Sequence, residues 1–229
     1  MSWFVRTFGS TLGRKLLMAL TGIFLILFLV VHLAGNLQLL IPDGGKSFNI
    51  YAETMGNNTF IQIVSKVNFA LILLHIIVAI ILTRYNSKAR PVSYENFNGN
   101  ANSTWSSRNM GVLGSVIFIF IAIHLSNFWW VFKYGEVPTT TLEDGSTVKN
   151  YFAVVNEGFS QLWIVGIYVL SMVFLAFHLA HGFQSAFQTL GLNHKKYTPA
   201  IKAVGKWFAI LVPIGFAIIP IYMYFNNIS

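Results

Sequence analysis

Four histidines, His32, His75, His124 and His178, each stand inside a separate run of apolar residues, where an imidazole is costly to leave unsatisfied. The run 163–187, WIVGIYVLSMVFLAFHLAHGFQSAF, poses the problem most plainly. At about 1.5 Å per residue it can cross a bilayer core of about 30 Å, yet it carries His178 and His181. A ring nitrogen at that depth has to be hydrogen-bonded, solvated or ligated. Two chemistries use such residues: axial ligation of haem iron by neutral imidazole, and a stepwise proton relay. A relay usually wants carboxylates in the membrane, and these runs hold almost none. A lone histidine in an apolar helix is more often a hydrogen-bonded structural residue, but packing gives no reason for one per run in matched register.

The register is the stronger signal. His32 lies 17 residues beyond Lys15 and His124 lies 16 beyond Arg108, so each sits roughly 25 Å along its helix from a basic end. His75 lies 9 residues before Arg84, roughly 13 Å from the same side, and His178 lies 10 before Gln188. The four therefore sort into two level pairs, His32 with His124 and His75 with His178. Each pair suits one iron held by two neutral imidazoles, one from either side. Gly22 and Gly114 each precede the His of their own helix by ten residues and fall at the level of the inner pair. A residue without a side chain there would let a porphyrin edge approach the backbone, although close helix packing through small residues reads the same way.

The remaining candidates are weaker. His181 shares a helix face with His178 and offers an alternative ligand or a propionate partner; His178 is preferred. His194, in GLNHKKY, reads as a solvated residue or part of a partner-binding surface. Met18, Met172 and Met223 can supply thioether ligands in principle but are more commonly core or lipid-facing residues. The chain has no cysteine, which excludes disulfides, thiolate-held iron-sulfur clusters, covalent haem attachment through CxxCH and Cys-based zinc sites.

The elements that must position these residues are read from composition. Of 229 residues, 55% are hydrophobic and 10% charged, against about a quarter charged in soluble domains, so the chain is an integral membrane protein. The net charge of +8 is accordingly a matter of membrane side, and no nucleic-acid partner is expected. Five apolar segments, at about 16–40, 60–83, 110–132, 159–187 and 204–225, predict one all-α transmembrane domain over 1–229, a five-helix bundle whose first four helices enclose the candidate haem sites. The fifth has no histidine and contains Pro213 and Pro220, which predict a kinked flanking helix. The amino-terminal run resembles a signal peptide but continues without a small-residue cleavage site, so it reads as a retained span.

Charge sets the orientation. Eleven of fifteen cations (Arg6, Arg14, Lys15, Arg84, Lys88, Arg90, Arg108, Lys195, Lys196, Lys202 and Lys206) fall at the amino terminus and in the second and fourth loops. Six of seven acids (Asp43, Glu53, Glu136, Glu143, Asp144 and Glu157) fall on the other side. The positive-inside rule places the amino terminus in the cytoplasm and the carboxy terminus outside. The tryptophans cluster near predicted helix ends, as an interfacial belt does.

With these residues in view, the chain resembles the dihaem cytochrome b membrane anchor of succinate:quinone oxidoreductases, the single-subunit, five-helix b558 type. The resemblance covers most of the chain and is carried by GRKLLMALTGIFLILFLVVHLAGNLQLL (13–40), by the order of one His per helix, and by FHLAHGFQSAFQTLG (177–191). It implies two haems b, ligated by His75 and His178 nearer the iron-sulfur subunit and by His32 and His124 on the outer side. It also implies flavoprotein and iron-sulfur partner subunits on the cytoplasmic face of a bacterial inner membrane, menaquinone as electron acceptor, and no succinate chemistry in this chain alone. Relatives using menaquinone place a carboxylate near the outer end of the second helix; Glu53 is the nearest candidate, with Gln38 and Asn36 as other polar groups on that side, for either of which simple capping of the helix is the alternative reading. A cytochrome b anchor of another quinone-linked dehydrogenase and a histidine-relay proton transporter stay open as alternatives.

Overall fold

The computed structural model describes residues 3–89 and 103–228; Arg90 and most of the second loop lie outside them. Among the described residues five helices are long and apolar enough to span a membrane, over Thr11–Leu40, Thr59–Lys88, Met110–Tyr134, Leu162–Thr189 and Thr198–Asn227. A short α1 (Trp3–Gly9) precedes the first span. The Ser10 hydroxyl accepts from Gly13 N–H at 3.0 Å and so caps α2 (Thr11–Asn36), which runs into a 3₁₀ turn at Leu37–Leu40. The second span is α4 (Thr59–Lys88). After the short α5 (Trp105–Arg108), the third span consists of α6 (Met110–His124), one π-helical turn (Leu125–Trp129) and α7 (Trp130–Tyr134). The fourth and fifth are α9 (Leu162–Thr189) and α10 (Thr198–Ile228), and α10 is continuous through Pro213 and Pro220.

Two connections are more ordered than their polar composition suggests. The Gly/Asp/Asn-rich first loop folds into α3 (Lys46–Asn57). Gly45 precedes it at φ 85°, and a Cβ there would lie 2.2 Å from the Phe152 ring, so only glycine fits both the backbone and the space. The third loop makes an antiparallel hairpin, β1 (Thr139–Thr141) with β2 (Thr147–Lys149), around the Asp144-Gly145 turn, followed by α8 (Tyr151–Phe159). Asn49, almost fully buried, ties these pieces together: its amide donates to Asn150 Oδ1 at 3.0 Å and its carbonyl accepts from Phe152 N–H at 2.8 Å.

The chain divides into two compact units, 1–28 with 67–115 and 176–210, and 29–66 with 116–175 and 211–229, so that every long helix contributes one segment to each. The first holds His75 and His178, and none of its described residues is Asp or Glu. The second holds His32, His124, α3, the hairpin, α8 and the six acids named above. Its core packs Leu39, Phe48, Phe128, Phe159, Tyr168 and Met223 with their neighbours. Among the described residues, no two long helices of either unit share an extended close backbone seam.

Candidate functional site

In the second unit, α2 carries His32 and α6 carries His124, and their ring centroids lie 5.8 Å apart at 84°. In the first, α4 carries His75 and α9 carries His178, with centroids 6.4 Å apart at 65°. The four side chains thus come together two by two, in the pairs that helix register predicts. Two imidazoles coordinating one metal from opposite sides, at about 2.0–2.1 Å each, have ring centroids roughly 6 Å apart. Both pairs meet that spacing.

The polar surroundings differ between the pairs. Thr21, buried on α2, places its hydroxyl 2.8 Å from the Leu17 carbonyl, 3.1 Å from the Met18 carbonyl and 2.9 Å from His75 Nδ1. A hydroxyl has one proton, and a carbonyl can only accept it. With that proton on Leu17 or Met18, His75 Nδ1–H donates to Thr21 Oγ1, which fixes the tautomer and leaves the lone pair on Nε2. This arrangement, a neutral imidazole oriented through its other nitrogen, is what a metal ligand requires. On α2 near its end, Asn36 donates its amide to the His32 carbonyl at 2.7 Å and stands 3.3 Å from His32 Nδ1, a longer and looser contact. His124 Nδ1 and His178 Nδ1 are buried with no hydrogen-bond partner among the described residues. Buried polar atoms normally find partners, so these two ring nitrogens, one in each pair, are exceptions to the usual pattern.

An aromatic wall surrounds His124. Phe120 and Phe128 flank it at 5.8 Å along the same helix face, Tyr168 lies 6.0 Å away, and Phe159 packs on Tyr168 at 5.1 Å. The π turn begins immediately after His124, and such turns occur often at functional sites. The spacing Phe120, His124, Phe128 is legible as an i, i+4, i+8 stripe, whereas neither Tyr168 nor Thr21 carries a signal that single-sequence reading could isolate.

Gly22 lies against the inner pair: a Cβ there would be 3.6 Å from His75 Cε1. At Gly114 a Cβ would meet nothing within 4 Å. His181 is half-buried one turn beyond His178, and His194 lies in the fourth loop, where its Nδ1 accepts from Lys196 N–H at 3.2 Å. Glu53 sits on α3 in the same unit as His32 and His124. One of its carboxylate oxygens accepts from Asn57 at 2.9 Å; the other is buried with no partner among the described residues. Burial raises the Tyr151 phenol above its ordinary pKa, and the Glu53 carboxylate adds to that shift. Gln38 lies half-buried in the 3₁₀ turn, its carbonyl accepting from Ile41 N–H at 3.2 Å.

Among the described residues no three or more of His, Asp and Glu gather into a site for a free metal ion. Zinc or copper sites draw three or four donors from the protein. A donor set of two imidazoles suits a metal whose other positions are filled by a planar macrocycle. No protein-family model, curated protein or solved structure matches the chain.

Proposed function

We propose that this chain is the membrane-anchor cytochrome b subunit of a succinate:quinone oxidoreductase, in which His75 with His178 and His32 with His124 each hold one haem b. The observation that carries the reading is the pairing of four membrane-helix imidazoles at 5.8 and 6.4 Å between ring centroids. Bound there, the haems supply one-electron transfer between the iron-sulfur subunit and menaquinone. The chain's own part is to orient and insulate. Thr21 sets the His75 tautomer, Asn36 meets the His32 side, and the aromatic wall of Phe120, Phe128 and Tyr168 keeps water from His124. Gly22, against His75, leaves room at that pair for a macrocycle edge.

In this reading the basic amino terminus and the second and fourth loops lie in the cytoplasm, where flavoprotein and iron-sulfur subunits dock, and the acidic loops lie across the membrane. Menaquinone is oxidised or reduced near the outer pair, with Glu53 and Gln38 as the polar groups offered to it. In membranes carrying the chain, succinate should bleach oxidised b-type absorption and raise the reduced bands. A tag on this chain should also copurify one flavoprotein and one iron-sulfur protein. A tagged chain that binds haem but retains neither partner would place it in another cytochrome b complex; a chain without haem would end the reading.

A further inference from the structure

We infer that the groove between α9 and α10 in the basic unit is a binding site for one anionic phospholipid. A cavity of about 460 Å³ lies there, within the roughly 300–1,000 Å³ typical of small-molecule sites. Its floor is made of small apolar side chains, Ala176 and Ala180 from α9 with Ala203 and Ala209 from α10. Phe177 forms one wall and is braced by Trp105 at 5.4 Å. The helices are locked beside the groove, because α10 approaches α9 at Gly205, where a Cβ would lie 2.6 Å from the Phe183 ring. A smooth channel of this kind takes an acyl chain by apolar contact alone.

Polarity enters on one helix. Lys202 and Lys206, one turn apart on α10, line the groove, and Gln184 joins them from α9. Both lysines are exposed, and none of the described residues of this unit is Asp or Glu. Exposed Trp207 follows directly, where an interfacial anchor belongs. Two cations beside an apolar channel on membrane-spanning helices complement a phosphodiester headgroup with its chain below it. A zwitterionic lipid offers the same chain but no net negative charge, and free phosphate offers the charge without the chain.

The test uses the purified full-length chain in neutral detergent, titrated with dioleoylphosphatidylglycerol, dioleoylphosphatidylcholine or inorganic phosphate, with bound lipid counted by native mass spectrometry. One phosphatidylglycerol should be retained in preference to phosphatidylcholine, and inorganic phosphate should not displace it. At about fivefold per cation, Lys202→Ala with Lys206→Ala should weaken retention roughly 25-fold. Lys195→Ala with Lys196→Ala, the same charge loss in the loop, should leave it within twofold. Ala180→Phe fills the channel without altering charge and should also abolish it, while Lys202→Arg with Lys206→Arg should preserve it. Unchanged retention in the Lys202/Lys206 double variant, equal loss in the loop variant, equal binding of phosphatidylcholine, or displacement by phosphate would each overturn the assignment. Circular dichroism of each variant separates loss of the site from loss of the fold.

Discussion

At the scale of single residues, the contact that bears most on the proposed ligand role of His75 is the one it makes with Thr21 at 2.9 Å. The hydroxyl is within reach of two carbonyls and one imidazole nitrogen, and its single proton determines the rest. Thr21→Val keeps the branched shape and removes the acceptor, stranding the Nδ1–H of a half-buried ring at a cost of about 1–3 kcal/mol. Orienting partners of this kind are typically worth about 10- to 100-fold in ligand-site affinity. Haem retention at the His75/His178 pair should fall by that factor in Thr21→Val, with the other haem unaffected, as followed by haem transfer to apomyoglobin. Thr21→Ser should restore it. Equal loss from both sites would make Thr21 a general packing residue.

At the scale of elements, the spans were legible because lipid demands long uninterrupted apolar helices, and that demand is written in every position of the run. The histidine pairs were legible for the same reason: a straight helix converts residue counts into depth, so Lys15 to His32 and Arg108 to His124 could be compared without coordinates. What escaped was structure that depends on tertiary contacts. The segment from Ile41 to Asn58 reads as a loop from its Gly, Asp and Asn content, yet Lys46–Asn57 within it is a helix held by Asn49 reaching α8 and by Asp43 at its start. Asp43 Oδ1 accepts from Gly45 N–H at 3.0 Å, and Oδ2 accepts from Ser47 N–H at 2.9 Å and from the Ser47 hydroxyl. Slight burial acts to raise its pKa, but the hydrogen bonds from Ser47, Gly45 and Lys46 together outweigh it and hold the carboxyl below its ordinary value. A lowered carboxyl pKa stabilises the folded turn above about pH 4, and that contribution disappears as pH falls through the lowered value. Amide exchange in α3, corrected for intrinsic rate, should therefore accelerate on acidification below pH 4, and Asp43→Ala should show the faster rate already at pH 7. An α3 insensitive to both would assign its stability to the Asn49 contacts alone.

At the scale of the molecule, charge and chemistry divide along the same line. Ten described cations and no described acid accompany His75 and His178, while six acids accompany His32 and His124. Five candidate spans put the two ends of the chain on opposite sides of a membrane, and under the positive-inside rule the proposed orientation has the amino terminus in the cytoplasm. Reporter fusions should be active as a cytoplasmic fluorophore after Thr7 and as a periplasmic phosphatase after Asn227; the reverse pattern would invert the docking face. A phosphatase inserted at Gly145, in the hairpin turn, should report the outer side as well.

In the proposed cytochrome two metal centres are each held by a pair of imidazoles from different helices, and those pairs lie at 5.8 and 6.4 Å between ring centroids. The most direct measurement is a pyridine haemochrome count per polypeptide on the purified chain and on His32→Ala, His75→Ala, His124→Ala and His178→Ala. Two b-type haems are predicted for the parent and one for each variant, with His32→Ala and His124→Ala leaving the same residual spectrum and His75→Ala and His178→Ala leaving the other. A parent chain without haem, or variants that all keep two, would contradict it.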